Sequence, residues 1–131
     1  MTKRFVLGIA AVAAVVAAAA GAAHAAGPLG GDPAKGSVVF KQQCMICHAA
    51  KAGQEGAAPS LYGVVGRVSG TEPGFSYTPA IKAAHIDWTP AKLDAFLSGP
   101  AKLIPGTAMP ITLTDPTQRH DVIAYLASLK R

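Results

Sequence analysis

Both cysteines of the chain fall within one pentapeptide, Cys44-Met45-Ile46-Cys47-His48. Two thiols separated by two residues, with a histidine directly after them, admit four kinds of chemistry. A zinc ribbon requires a second pair of ligands, and there are no further cysteines to supply one. A thioredoxin-like redox pair belongs at a strand-to-helix junction, whereas Phe40-Lys41-Gln42-Gln43 reads as helix. A structural disulfide would leave His48 without a purpose and would close so short a loop that little chain entropy is removed. Covalent haem attachment uses all three residues. The thiols of Cys44 and Cys47 add across the vinyl groups, and His48 sits under the iron as proximal ligand.

Iron held in this way has a second axial position. Met1, Met45, Met109, His24, His85 and His120 are the side chains able to fill it. Met45 lies inside the attachment loop and is too close to reach the opposite face. Met109 follows His48 by 61 residues, within Ile104-Pro105-Gly106-Thr107-Ala108-Met109-Pro110. Pro105-Gly106 signals a turn, and Pro110 drives Met109 towards an extended conformation. Such a stiff, irregular loop suits a sulphur that must be held at one point over a flat ring. The competing role for Met109 is core filler. His85 and His120 read as solvated histidines flanking helices.

Elements that could position these groups are marked by a capping residue followed by proline at the first helical position. Asp32-Pro33, Thr78-Pro79, Thr89-Pro90 and Asp115-Pro116 all have this form, which predicts four helices. The first is expected to run to about Met45, with Gly36 and Phe40 on one face. The last is expected to run to about Lys130, with Val122, Ile123, Tyr125, Leu126 and Leu129 as its apolar stripe. A glycine on the first helix would permit a close crossing against that stripe. Residues 49 to 77 and 99 to 114 are long, rich in Gly and Pro, and read as loops. Loops of that length require an organiser, and haem is one. Leu61, Leu97 and Leu103 are expected in the wall of its pocket.

The ends of the chain differ in character. Residues 5 to 26 carry no Asp, Glu, Lys or Arg; Lys3 and Arg4 precede them, and Ala23-His24-Ala25 closes the run. That is the pattern of a secretory signal peptide, expected to be cleaved after Ala25 to leave a domain over residues 26–131. An uncleaved membrane anchor is the alternative reading. Removing Lys3 and Arg4 from the 12 basic side chains leaves 10 against 7 acidic ones, a net charge of +3. The basic residues are scattered and do not interleave with aromatics, so nucleic acid is not an expected partner. The 131 residues allow one domain and exclude a multi-domain enzyme.

Taken in order, these residues resemble bacterial class I c-type cytochromes of the mitochondrial-cytochrome-c-like branch. The resemblance begins with Gly36, Phe40 and the Cys44–His48 pentapeptide. It continues through Pro59-Ser60-Leu61-Tyr62-Gly63-Val64-Val65-Gly66-Arg67, Pro73-Gly74-Phe75-Ser76-Tyr77-Thr78 and Trp88. It closes with Ile104–Met109 and Ile123-Ala124-Tyr125-Leu126. It implies an all-α cytochrome c fold, about four short helices and long loops around one haem c, with His48 and Met109 as axial ligands. It also implies that Arg67, Tyr77 and Trp88 satisfy the haem propionates, and that the carbonyl region at Pro59 receives the ring N–H of His48. Two departures stand out: Phe96 where many relatives carry a tyrosine, and Ala108 where many carry a lysine. Gln43 and Ala101 likewise hold positions that are lysine in relatives with strongly acidic partners. The implied function is a soluble, monomeric periplasmic one-electron carrier, not an enzyme. The implied partners are a cytochrome bc-type complex, a terminal oxidase, a photosynthetic reaction centre or a periplasmic dehydrogenase, docked transiently. The alternatives are a haem enzyme or gas-binding protein with Met109 off the iron, and a membrane-anchored cytochrome subunit of a larger complex.

Overall fold

Capping chemistry determines where the helices begin. In the computed structural model, which describes residues 25–130, all four expected openers start a helix. The helices are α1 (Pro33–Val39), α2 (Pro79–Ala84), α3 (Pro90–Ser98), a short α4 (Pro100–Leu103) and α5 (Pro116–Ser128). Asp32 Oδ1 accepts from the Ala34 amide at 2.8 Å, and Asp115 Oδ1 accepts from Thr117 at 2.8 Å. Thr78 and Thr89 hydroxyls accept from the amides of Ile81 and Lys92 at 3.4 and 3.2 Å. Each cap satisfies an amide that the first helical turn leaves without a partner. The expected signal peptide lies, apart from Ala25, outside the described residues. Among the described residues no helix is long and apolar enough to cross a membrane.

Three local features differ from expectation. Helix α4 lies inside the segment read as loop, because Gly99 precedes its proline and offers no side-chain cap. The first helix leaves α geometry after Val39 and widens into a π-helical turn, Phe40–Cys44, in which the Met45 amide donates to the Phe40 carbonyl at 2.9 Å. The last helix stops at Ser128 rather than Lys130. Among the described residues there is no strand, and an isolated bridge joins Val68 to Asp87.

The protein core centres on the crossing of α1 and α5. A Cβ added to Gly36 would lie 1.9 Å from the Asp121 carbonyl oxygen and 2.8 Å from Tyr125 Cβ. Only a residue without a side chain permits that approach. The Phe40 and Tyr125 rings then meet at 5.4 Å, and Val122 and Ile123 are fully buried at 0% exposure. Burial of two such side chains contributes roughly 1.5–3 kcal/mol each. Asp121 secures the start of α1 by accepting from the Asp32 amide at 2.8 Å.

The long segments are held by polar clamps. Fully buried Ser60 donates to the Lys51 carbonyl at 2.7 Å and accepts from the Tyr62 amide at 3.2 Å. Arg67 and Trp88 pair through their backbones at 2.9 Å, and Gly66 donates to Trp88 at 3.0 Å. Arg119 on α5 donates to Asp94 on α3 at 2.7 Å and to the carbonyls of Leu113 and Thr114, both at 2.9 Å. His120 also approaches Asp94, at 3.6 Å, while His85 is exposed at the end of α2. Neither histidine reaches the cavity that the long segments enclose.

Candidate functional site

That cavity has a volume of about 450 Å³ and a mainly apolar wall, within the range of about 300–1,000 Å³ usual for cofactor sites. Cys44, Cys47, His48, Arg67, Tyr77, Trp88 and Met109, the residues expected to bind the cofactor, all line it. Cys44, Cys47 and His48 enter from the end of the first helix. The Cys44 carbonyl accepts from the Cys47 and His48 amides at 3.1 and 2.9 Å, so the pentapeptide makes one further tight turn. Met109 enters from the irregular loop after α4. There, positive φ at Gly106 (86°) makes the bend, and Thr107 Oγ1 accepts from the Met109 amide at 3.3 Å. Arg67, Tyr77 and Trp88 supply the remaining expected positions.

His48 is oriented by the protein itself. Its Nδ1 lies 2.6 Å from the Pro59 carbonyl oxygen. A carbonyl can only accept, so Nδ1 carries the proton and Nε2 keeps its lone pair. Burial lowers the His48 pKa, opposed by the bond to Pro59 and assisted by the charge of Arg67. The neutral, metal-binding form is therefore favoured. Burial also pushes the Cys44 thiol up to about 11, so it is neutral at ordinary pH.

The expected apolar wall is present in part. Leu61 and Leu97 line the cavity, but Leu103 does not; it packs behind against the core from α4. Phe96 lines the same space as Met109 and tilts against Trp88 at 5.0 Å, so the expected departure at Phe96 falls beside the sulphur-bearing loop. Gln43 and Ala108 are both exposed and both touch the cavity. At its mouth these two positions offer no positive charge.

One buried group was missed by sequence reasoning. Arg67 forms an ion pair with Glu72, and both side chains are nearly inaccessible, at 8% and 6%. Arg67 also donates to the Ser60 carbonyl at 2.9 Å and to the Tyr62 carbonyl at 3.4 Å. Glu72 lies in a polar turn between Thr71 and Pro73, with no periodicity to mark it as buried.

The residues present fit a haem. They combine paired thiols, an imidazole with its distal nitrogen bare, a thioether from a rigid loop, and an apolar wall with few polar groups. The Cytochrome c family profile matches residues 33–130. Cytochrome c2 of Rhodopila globiformis is 46% identical over 101 residues, covering 76% of this chain and 95% of that protein. Cytochrome c2 of Rhodomicrobium vannielii is 44% identical over 100 residues, covering 75% and 79%. The solved structure of cytochrome c2 from Rhodospirillum centenum superposes with a TM-score of 0.70 at 37% identity, covering 77% of this chain and all of that one. The chain belongs to the cytochrome c family: an electron carrier of all-α fold that holds one haem c through thioether bonds to Cys44 and Cys47.

Proposed function

We propose that the chain works in the periplasm as a soluble, monomeric one-electron carrier, with His48 and Met109 as the two axial ligands and no substrate chemistry of its own. In this reading residues 1–25 direct export and are removed. The observation that carries the ligand assignment is that His48 and Met109 line one cavity while Nδ1 of His48 is held on Pro59. The bound haem supplies a one-electron ferric/ferrous couple.

The chain's own residues do the rest. Pro59 holds the His48 ring in one tautomer and strengthens it as a donor. The loop Ile104–Pro110 presents Met109 to the cavity, where it and His48 would together hold the iron of a bound haem and leave no position for a substrate. Phe96, Leu61 and Leu97 contribute to the apolar wall of the pocket, and Arg67, Tyr77 and Trp88 would receive the propionates of a bound haem. Exposed Ile46 (85%), Gln43 and Ala108 mark the edge that a partner meets. The partners are redox proteins: a cytochrome bc-type complex, a terminal oxidase, a photosynthetic reaction centre or a periplasmic dehydrogenase.

A reduced-minus-oxidised spectrum with and without carbon monoxide tests the ligation. A low-spin spectrum unchanged by carbon monoxide is expected. A high-spin spectrum that shifts with carbon monoxide would overturn the Met109 assignment in favour of a gas-binding or catalytic haem protein. The mass of the exported protein tests cleavage: retention of residues 1–25 would favour an anchored subunit.

A further inference from the structure

The buried side chains of Arg67 and Glu72 form one cluster with half-buried Tyr77 at the polar edge of the cavity. Arg67 and Tyr77 line the cavity, and Glu72 stands behind them. The Glu72 backbone amide donates to the Tyr77 hydroxyl oxygen at 3.3 Å, and its carboxylate is paired with Nη1 of Arg67. An arginine has five N–H donors. Nη1 is committed to Glu72 and Tyr62, and Nη2 gives one hydrogen to Ser60. Among the described residues that leaves Nε and the second Nη2 hydrogen for an acceptor in the cavity. A buried guanidinium beside the haem opposes the extra positive charge of the ferric state, and a carboxylate clasped on it cancels that opposition.

We propose that Glu72 is a positioning residue that sets the haem potential: it fixes which face of Arg67 is offered to the propionates and neutralises its charge, holding the couple towards the ferric form. The inference rests on the haem occupying this cavity and adds a residue that neither the attachment motif nor the axial ligands require. It also separates two roles that an arginine at this place combines. Donation to the cofactor falls to the two remaining N–H groups, while the net charge felt by the iron is decided one residue further back.

The test is redox potentiometry of the holoprotein in low salt and in 1 M salt. Glu72→Gln keeps the shape and one acceptor but removes the charge. It should raise the ferrous-to-ferric ratio at fixed potential on the order of three- to tenfold, tenfold being ~59 mV for one electron. Because the pair is buried, the shift should survive 1 M salt, where exposed charges are screened within about 3 Å. Asp87→Asn makes the same charge change at an exposed position and should move the ratio less than about twofold at that salt. Arg67→Gln should move the potential down, and the double variant Arg67→Gln/Glu72→Gln should return it close to that of the unaltered protein.

If Glu72→Gln melts at a lower temperature but keeps the original potential, the ion pair only holds the loop together and the proposal fails. If Glu72→Gln does not fold because Arg67 is left buried without its partner, the pair Arg67→Gln and Arg67→Gln/Glu72→Gln decides. Equal potentials in those two would overturn the proposal, and a higher potential in the double variant would support it. Absence of a c-type haem spectrum in the unaltered protein would sink the cofactor reading, whereas an unmoved potential beneath a normal spectrum sinks only the role of Glu72.

Discussion

The α1–α5 crossing and the cavity wall are built by opposite means. At the crossing, protein touches protein: Gly36 lets the backbone of one helix rest on the other, and Val122 and Ile123 vanish from solvent. Around the cavity, residues 49–77 and 99–114 contribute mostly turns, held by single polar clamps at Ser60, Arg67 and Arg119. Leu61, Val64, Phe75, Met109 and Ile111 from these segments line the cavity, while Ile104 and Leu113 join the protein core. The first region is specified by shape and the second by a cofactor. Without that cofactor the apolar residues lining the cavity lose the surface they would pack against.

The largest disruption should therefore come from denying the chain its haem. Cys44→Ala with Cys47→Ala, exported normally, is expected to lack most native helix and to melt without cooperativity, as read by circular dichroism. Native-like helical content and a cooperative transition would show that the crossing alone can organise both regions. Gly36→Val attacks the other side. Its Cβ would fall within 2 Å of the Asp121 carbonyl oxygen, so the helices must separate. A loss of about 3 kcal/mol or more is expected in denaturant titrations. The haem absorption of the molecules that remain folded should stay normal, since the cavity does not touch Gly36. A changed haem spectrum at full stability would reverse the comparison.

Arg119→Ala removes the clamp between α5, α3 and the Leu113–Thr114 carbonyls. Because Asp94 remains partly exposed, about 1–2 kcal/mol of stability is expected to be lost. Thermal melts followed in the haem band measure it, and a change below about 0.5 kcal/mol would show that the loop is held by haem contacts alone. The exposed residues that line the cavity, Gln43, Ala57, Ser76, Ala108 and Pro110, include no lysine. Electron transfer with a bc-type complex should therefore slow by less than about threefold as the screening length falls from about 30 Å to 8 Å. A steep fall over that range would reveal cationic contacts elsewhere on the surface. The smallest effect belongs to His85, which sits at φ 47° and ψ 42° beyond α2. Glycine there relieves about 1 kcal/mol of left-handed strain but loses up to about 1 kcal/mol to a more flexible unfolded chain. His85→Gly is expected to shift stability by only a few tenths of a kcal/mol, measured by chemical denaturation.

What was legible in the sequence follows the same division. Asp32-Pro33, Thr78-Pro79, Thr89-Pro90 and Asp115-Pro116 announce helix starts because capping is decided within four residues. Cys44, Cys47 and His48 are legible because their chemistry depends on spacing, and Met109 because prolines isolate it. Helix α4 was not, since Gly99 carries no cap to signal it. Glu72 escaped because its burial depends on Arg67 and Tyr77 arriving from either side, and Asp94 because its partner Arg119 lies 25 residues away. Pairings of this kind are settled by the fold as a whole and leave no local pattern.

The widened turn at Phe40–Cys44 makes the length of this segment matter separately from its composition. An α-helix rotates by about 100° per residue, and a π-helical turn absorbs a residue without breaking the helix. It therefore works as a phase shifter. Gly36 and Phe40 stay aimed at α5, while Cys44, Cys47 and His48 are turned into the cavity. Were the same five residues to tighten into α geometry, the attachment pentapeptide would swing by roughly 70°, most of one residue's rotation, although Gln42 itself is exposed and outside the cavity wall. Lys41 and Gln42, both exposed, are thus free to vary in kind, whereas the width of the turn that holds them is constrained, because it sets the direction in which the pentapeptide faces.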